Sequence, residues 1–163
     1  MIRVIALLLS CVMLSGCALK PLYAGGSSGP VSAVLDSVAV EPIEGKSGWL
    51  VRNALNDRLK ALGAQTPRYK LVVKLDDDIV GLGVRSDDTV TRERRTLRAR
   101  YQLVELASGK TLLDATAGSD AGIDVVSSEY ATIAGENTAL DNLSQKIADQ
   151  IVTRLLLYAR GQK

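Results

Sequence analysis

The chain reads as an α+β fold: two helices packed on one face of a four-stranded mixed sheet, in the order β-α-β-β-β-α. Three observations lead there. Apolar residues alternate with polar ones along several stretches, the mark of half-buried strands. Two other stretches carry apolar residues at steps of three or four, the helical spacing. A helical crossover makes the first two strands parallel and right-handed if adjacent, and short turns make the later ones an antiparallel meander. With both helices on one face, the other face is left for a different task.

Val34 to Val40 forms the first strand, stopped by Pro42 and Gly45. Ser47 then caps a helix from about Gly48 to Leu62. Val51, Leu55, Leu59 and Leu62 make its core stripe, with Arg52, Asn56 and Lys60 away from it, and Gly63 supplies a left-handed stop. Trp49, the lone tryptophan, is expected to pack at the start of this helix rather than to stack on a sugar.

The second strand opens with Tyr69, Leu71, Val73 and Leu75 on one face. After Asp76-Asp77-Asp78 the apolar parity changes to Val80, Leu82 and Val84, so a bulge is expected there to return them to the buried side. Arg85-Ser86-Asp87-Asp88 turns the chain into the third strand. There Leu97, Ala99, Tyr101 and Leu103 share one face, and Arg92, Arg94, Arg98, Arg100 and Gln102 the other. Ser108-Gly109 leads to the fourth strand, where Leu113, Ala115 and Ala117 share a parity that extends toward Ile123. Ser127 or Ser128 starts the last helix, with Glu129 in its first turn to suit the dipole. Leu140, Leu143, Ile147, Ile151, Leu155 and Tyr158 form its apolar face, Gly135 marks a bend or break, and Gly161 ends it.

Ahead of this domain stands a different kind of segment. Arg3 precedes an apolar run from Val4 to Leu14, interrupted only by Ser10. At about 1.5 Å per residue the run is too short to span a bilayer and suits the core of a secretory signal. Leu14-Ser15-Gly16-Cys17 follows at once. The spacing resembles the lipobox of bacterial lipoproteins, in which the cysteine is acylated and becomes the mature N-terminus; the plainer alternative is a secretory signal that ends near a cysteine. On the lipobox reading, 1–16 is a lipoprotein signal peptide and 17–33 an acylated N-terminus and flexible tether through Gly25-Gly26-Ser27-Ser28-Gly29. Residues 34–160 then form a single α/β sandwich domain.

Composition narrows the chemistry. A net charge of +2 gives no case for nucleic acid. The chain has no histidine, so it lacks the commonest general base and metal ligand. Cys11 leaves with the leader and Cys17 is consumed by acylation, which removes thiol chemistry as well. No enzyme, cofactor or metal site is expected. Asp76-Asp77-Asp78 does not make an acid–base pair, because alternation sends adjacent strand residues to opposite faces, and no calcium-loop spacing follows. Gly81-Leu82-Gly83 lacks the later glycine, lysine and serine of a phosphate loop.

Taken in order, several short stretches resemble the LptE family of LPS-assembly lipoproteins. They are Gly16-Cys17 with Pro21-Leu22-Tyr23, Val38-Ala39-Val40 leading to Leu50-Val51-Arg52-Asn53-Ala54-Leu55, and Arg100-Tyr101-Gln102-Leu103. Tyr130-Ala131 and Ala148-Asp149-Gln150-Ile151-Val152-Thr153-Arg154-Leu155 complete the set. The resemblance implies two helices on a four-stranded mixed sheet, and a partner, the LptD β-barrel, whose lumen the lipoprotein plugs. It implies delivery of lipopolysaccharide to the outer leaflet, and attachment to the periplasmic side of the outer membrane through N-terminal acyl chains. Ala18 fits that location, since an aspartate there is the usual inner-membrane retention signal. One departure stands out: Ser127 to Asn137 carries no lysine or arginine, so a basic ligand contact placed there in a relative has no equivalent here. The alternative role is an outer-membrane lipoprotein of similar fold that activates a cell-wall enzyme or serves a lipid transporter.

The candidate binding set is Arg85, Arg92, Arg94, Arg95, Arg98 and Arg100, all in one hairpin, four of them in one alternating row. Strand residues two apart lie about 6.6 Å from each other on one face, a spacing at which guanidinium forks engage phosphates and carboxylates of lipopolysaccharide. Two other readings stay open: a solvated face whose charges meet Asp76, Asp78 or other acids, and a row turned to a polar barrel lumen. Arg85 at the tip reaches farthest beyond the sheet.

Overall fold

The computed structural model describes residues 35, 37–60, 66–84 and 90–161. The leader, Cys17, the tether, Val34, Leu62, Gly63 and the tip with Arg85 lie outside the described residues. The elements are β1 (Val38–Val40), α1 (Gly45–Lys60), β2 (Tyr69–Val84), β3 (Val90–Glu105), β4 (Thr111–Asp124) and α2 (Glu129–Gly161). They form one sheet in the spatial order β1-β2-β3-β4. β1 runs parallel to β2, and β2, β3 and β4 are antiparallel neighbours, so the expected α+β order and mixed sheet are present.

Strand parity builds the core. Leu71 pairs with Leu103, Val73 with Tyr101, Leu75 with Ala99 and Ala99 with Ala117, so odd-numbered side chains of all three long strands share the helix-covered side. Leu71, Val73, Leu97, Ala99, Tyr101 and Leu103 are buried there. α1 adds Val51, Leu55 and Leu59; α2 adds Leu140, Leu143, Ile147, Ile151 and Leu155. α2 also buries Ala148, Val152, Leu156 and Ala159, because it packs against α1 on one side and β4 on the other. Its buried face is therefore wider than one stripe.

Several expected details take a different form. β1 is shorter than the stretch from Val34, although Ser37 still accepts hydrogen bonds from the amides of Arg68 and Tyr69. α1 begins at Gly45, which has a positive φ of 80°, so Ser47 lies inside the first turn instead of capping it. Gly48 is needed for packing: a Cβ there would lie 2.6 Å from the Ile43 carbonyl oxygen. Trp49 does not pack at the helix start; it is 62% exposed. α2 begins where Ser128 caps it, its hydroxyl accepting from the Ala131 amide at 3.4 Å. The helix runs unbroken through Gly135, whose missing side chain lets it approach Ile123.

The bulge is the largest correction. The β2–β3 register is continuous from Tyr69↔Glu105 to Leu82↔Arg92, and the register shift lies instead between β3 and β4 at Leu103/Val104. Val80 and Leu82 therefore stay on the side away from the helices, Val80 exposed and Leu82 half-buried. The ladder outweighs the local apolar pattern. Introducing an extra residue would cost backbone hydrogen bonds across a long hairpin to bury two side chains where only the start of α2 offers cover.

Candidate functional site: the charged face of the sheet

Even-numbered side chains of β2, β3 and β4 form the open side of the sheet. β3 supplies a central column of Arg92, Arg94, Arg98 and Arg100, as the alternating row requires. Acids flank it on both neighbours: Asp76 and Asp78 on β2, and Asp114, Asp120 and Asp124 on β4. Lys74 lies opposite Arg100. The face is thus a basic ridge between two acidic rows, close to neutral in sum.

The six candidate arginines separate into distinct environments. Arg92 pairs with Asp124 at 3.1 Å, with both side chains largely exposed. Arg100 makes a two-pronged contact with Asp114, Nε at 3.2 Å and Nη2 at 3.0 Å, and Gln102 donates to the same carboxylate at 2.8 Å. That contact raises the Arg100 pKa, and the bonds from Arg100 and Gln102 hold the Asp114 carboxyl below its ordinary value. Arg95 points to the other side of the sheet, under α2. It grips both Asp77 oxygens at 2.8 and 2.7 Å and donates to the Glu136 carbonyl at 3.1 Å. Their side chains are only 13% and 19% exposed, and the Asp77 bond outweighs desolvation to raise the Arg95 pKa. Arg95 is a strut between sheet and helix, not part of the open ridge.

Arg94 and Arg98 remain. Neither has an ion pair among the described residues. Arg98 lies across Gly118, with its Nη1 3.6 Å from where a Cβ would stand, an ordinary packing distance. Around it the face dips into a shallow depression of about 640 Å³ lined by Lys74, Asp76, Thr96, Arg98, Arg100 and Thr116 among others. Arg85 lies outside the described residues.

One contributor was not evident from the sequence. Gln150 of α2 accepts from the Gly118 amide at 3.1 Å and donates to its carbonyl at 3.2 Å. This side-chain amide satisfies the outward backbone groups of Gly118 on edge strand β4 and lines the depression. The signal was weak: an exposed glutamine beside the buried Ile151, with the exposed Lys146, Thr153 and Arg154 as its neighbours along the helix.

The aspartate triplet divides as strand alternation requires, Asp77 beneath α2 and Asp76 and Asp78 on the open side. Among the described residues no group of three or more histidine, cysteine, aspartate or glutamate side chains is placed to hold a metal, and no helix is long and apolar enough to cross a membrane.

The family model described as LptE, lipopolysaccharide-assembly, matches residues 35–155. An uncharacterized protein of Rickettsia prowazekii is 27% identical over 152 residues, covering 93% of this chain and 94% of the relative. A Caulobacter crescentus protein described as a lipoprotein shares the fold with a TM-score of 0.68 and 22% identity, over 82% of this chain and 99% of its own. Rare lipoprotein B from Shewanella oneidensis superposes with a TM-score of 0.61 and 10% identity, over 77% of this chain and 96% of its own.

Proposed function

Because the chain belongs to the LptE family of lipopolysaccharide-assembly lipoproteins, we propose that it is a non-enzymatic, lipid-anchored subunit that plugs an LptD-type barrel on the periplasmic side of the outer membrane. The match across 35–155 carries this reading, since it spans the folded domain from before β1 into the last turns of α2. Acyl groups on Cys17 hold the chain at the bilayer, and the glycine- and serine-rich tether lets the domain reach the lumen. More than one acyl chain is needed, because each buried methylene contributes only about 0.8 kcal/mol and a single chain binds marginally.

The near-neutral open face suits a polar lumen, where a uniformly basic surface would bind anions without discrimination. Within it, Arg94 and Arg98 are the ridge arginines with no ion pair among the described residues, and they meet the phosphates and acidic sugars of lipopolysaccharide. Arg85, which the sequence places between β2 and β3, is a further candidate contact.

Two experiments test this. A mild-detergent pull-down of the tagged full-length protein from isolated outer membranes should recover a large barrel at matched stoichiometry; recovery of the protein alone, or with a cell-wall synthase, would overturn the assignment. Lipopolysaccharide binding by the purified Arg94→Glu/Arg98→Glu variant should fall about tenfold or more, and Arg85→Asp should weaken it further while the domain stays folded. Binding unchanged in both would remove the ridge from the reading.

A further inference from the structure

β2 is paired along its whole length with β3, but on its other side β1 covers only Tyr69 to Leu71. The Tyr69 amide donates to Ser37 and the Leu71 carbonyl accepts from Glu41, so odd-numbered residues of β2 direct their backbone groups to this outer edge. Beyond Leu71 no backbone hydrogen bond reaches the edge among the described residues. Residues Asp76 to Gly81 are exposed as whole residues, although the Asp77 side chain itself is covered. The free edge thus offers the N–H and C=O groups of Leu75, Asp77, Ile79 and Gly81 in an extended row. On the opposite edge of the sheet, Gln150 satisfies Gly118 of β4.

We infer that the outer edge of β2 from Leu75 to Gly81 is a strand-addition site for an extended segment of another protein that carries basic residues at alternating positions. Backbone pairing supplies the affinity and the side chains flanking it supply the choice of partner. On the open side the added strand lies beside Asp76 and Asp78, neither of which has an ion pair among the described residues. On the helix side it lies beside Leu75 and Ile79, while Asp77 is already neutralised by Arg95. Alternating basic and apolar residues match both sides.

The same acids argue against a second copy. Antiparallel pairing of two β2 edges about this stretch sets Asp76 and Asp78 against their counterparts, and like charges directly opposite are destabilising. The arginine ridge plays no part in the ladder, so this site and the lipopolysaccharide reading stand or fall separately.

The test uses the full-length chain in mild detergent, with a short synthetic peptide alternating lysine with valine and a counterpart alternating glutamate with valine. The lysine peptide should bind about tenfold more tightly or better. It should slow amide hydrogen exchange at Leu75, Asp77, Ile79 and Gly81. Exchange at Asp76, Asp78 and Val80, whose amides face β3, should not change. N-methylation of alternate peptide amides should abolish binding, which isolates the ladder without altering the protein. Ile79→Pro should do the same, since it removes an outward donor and leaves the β2–β3 bonds intact. Asp76→Lys/Asp78→Lys should reverse the preference toward the glutamate peptide. Equal binding of the two peptides, or undiminished binding of the methylated one, would overturn the proposal. So would outward amides already protected in the free protein, either by its own N-terminal segment or by a concentration-dependent dimer.

Discussion

The two halves of the β2–β3 hairpin follow one unbroken register yet have opposite polarity. In the near half, Leu71, Val73, Ala99, Tyr101 and Leu103 are buried on the helix-covered side, and Lys74 and Arg100 face away. In the far half, the side under α2 holds Asp77, Arg95 and Glu93, while Val80 and Leu82 sit on the open side. A bulge would have made the halves alike; the ladder instead keeps its pairing and accepts a polar contact beneath the helix. That contact is largely satisfied, since Arg95 bonds Asp77 and the Glu136 carbonyl, but Glu93 Oε2 is buried without a hydrogen-bond partner among the described residues. The near half holds the domain together, and the far half trades stability for exposed backbone and charge.

This contrast can be tested in order of effect. Leu103→Ala, buried in the near half, should destabilise the chain by about 3 kcal/mol in chemical denaturation, because the cavity is enclosed by sheet and helix. A loss under about 1 kcal/mol would mean the helices do not seal that half. Gly48→Ala should cost about 2 kcal/mol, since its Cβ would press on the Ile43 backbone and α1 must shift. Thermal unfolding of that variant at the wild-type midpoint would show the contact to be soft.

Asp77→Ala leaves Arg95 half-buried and uncompensated, and should cost about 2 kcal/mol. The double variant Asp77→Ala/Arg95→Met should recover part of the loss, and a cycle with no coupling would show that the strut contributes nothing. Val80→Thr, on the exposed side of the far half, should change stability by less than about 0.5 kcal/mol. A large loss would show Val80 to be covered. The smallest effect belongs to Asp114. Its folded pKa is depressed by Arg100 and Gln102, so its contribution is present above the unfolded value of about 3.9 and fades as pH falls through the folded one. Stability measured from pH ~5 downward should decline a little less steeply in Asp114→Asn than in the wild type; identical slopes would mean the pair is screened away.

Much of the architecture was legible because it is local. The alternation of Leu97, Ala99, Tyr101 and Leu103 and the helical steps from Leu140 to Leu155 are properties of single segments, and both place their residues in the core. The failures were also physical. Trp49 stands in the open because the buried stripe of α1 is already filled by Val51, Leu55 and Leu59 and leaves its side of the first turns uncovered. Val80 and Leu82 followed a hydrophobic pattern that the backbone ladder overrode.

By itself the sequence determined the order of elements, the parity of the arginine column and the resemblance that the family match turned into membership. Only the tertiary structure decided which of those arginines are occupied. Asp114, Asp124 and Asp77 come from neighbouring strands, and the Glu136 carbonyl from a helix 41 residues away. Among the described residues it also left most of the β2 edge without a partner, because β1 ends after pairing with Leu71. Periodicity records which way a side chain points along its own strand. What it meets there depends on the alignment of segments far apart in the chain, and no single segment carries that information.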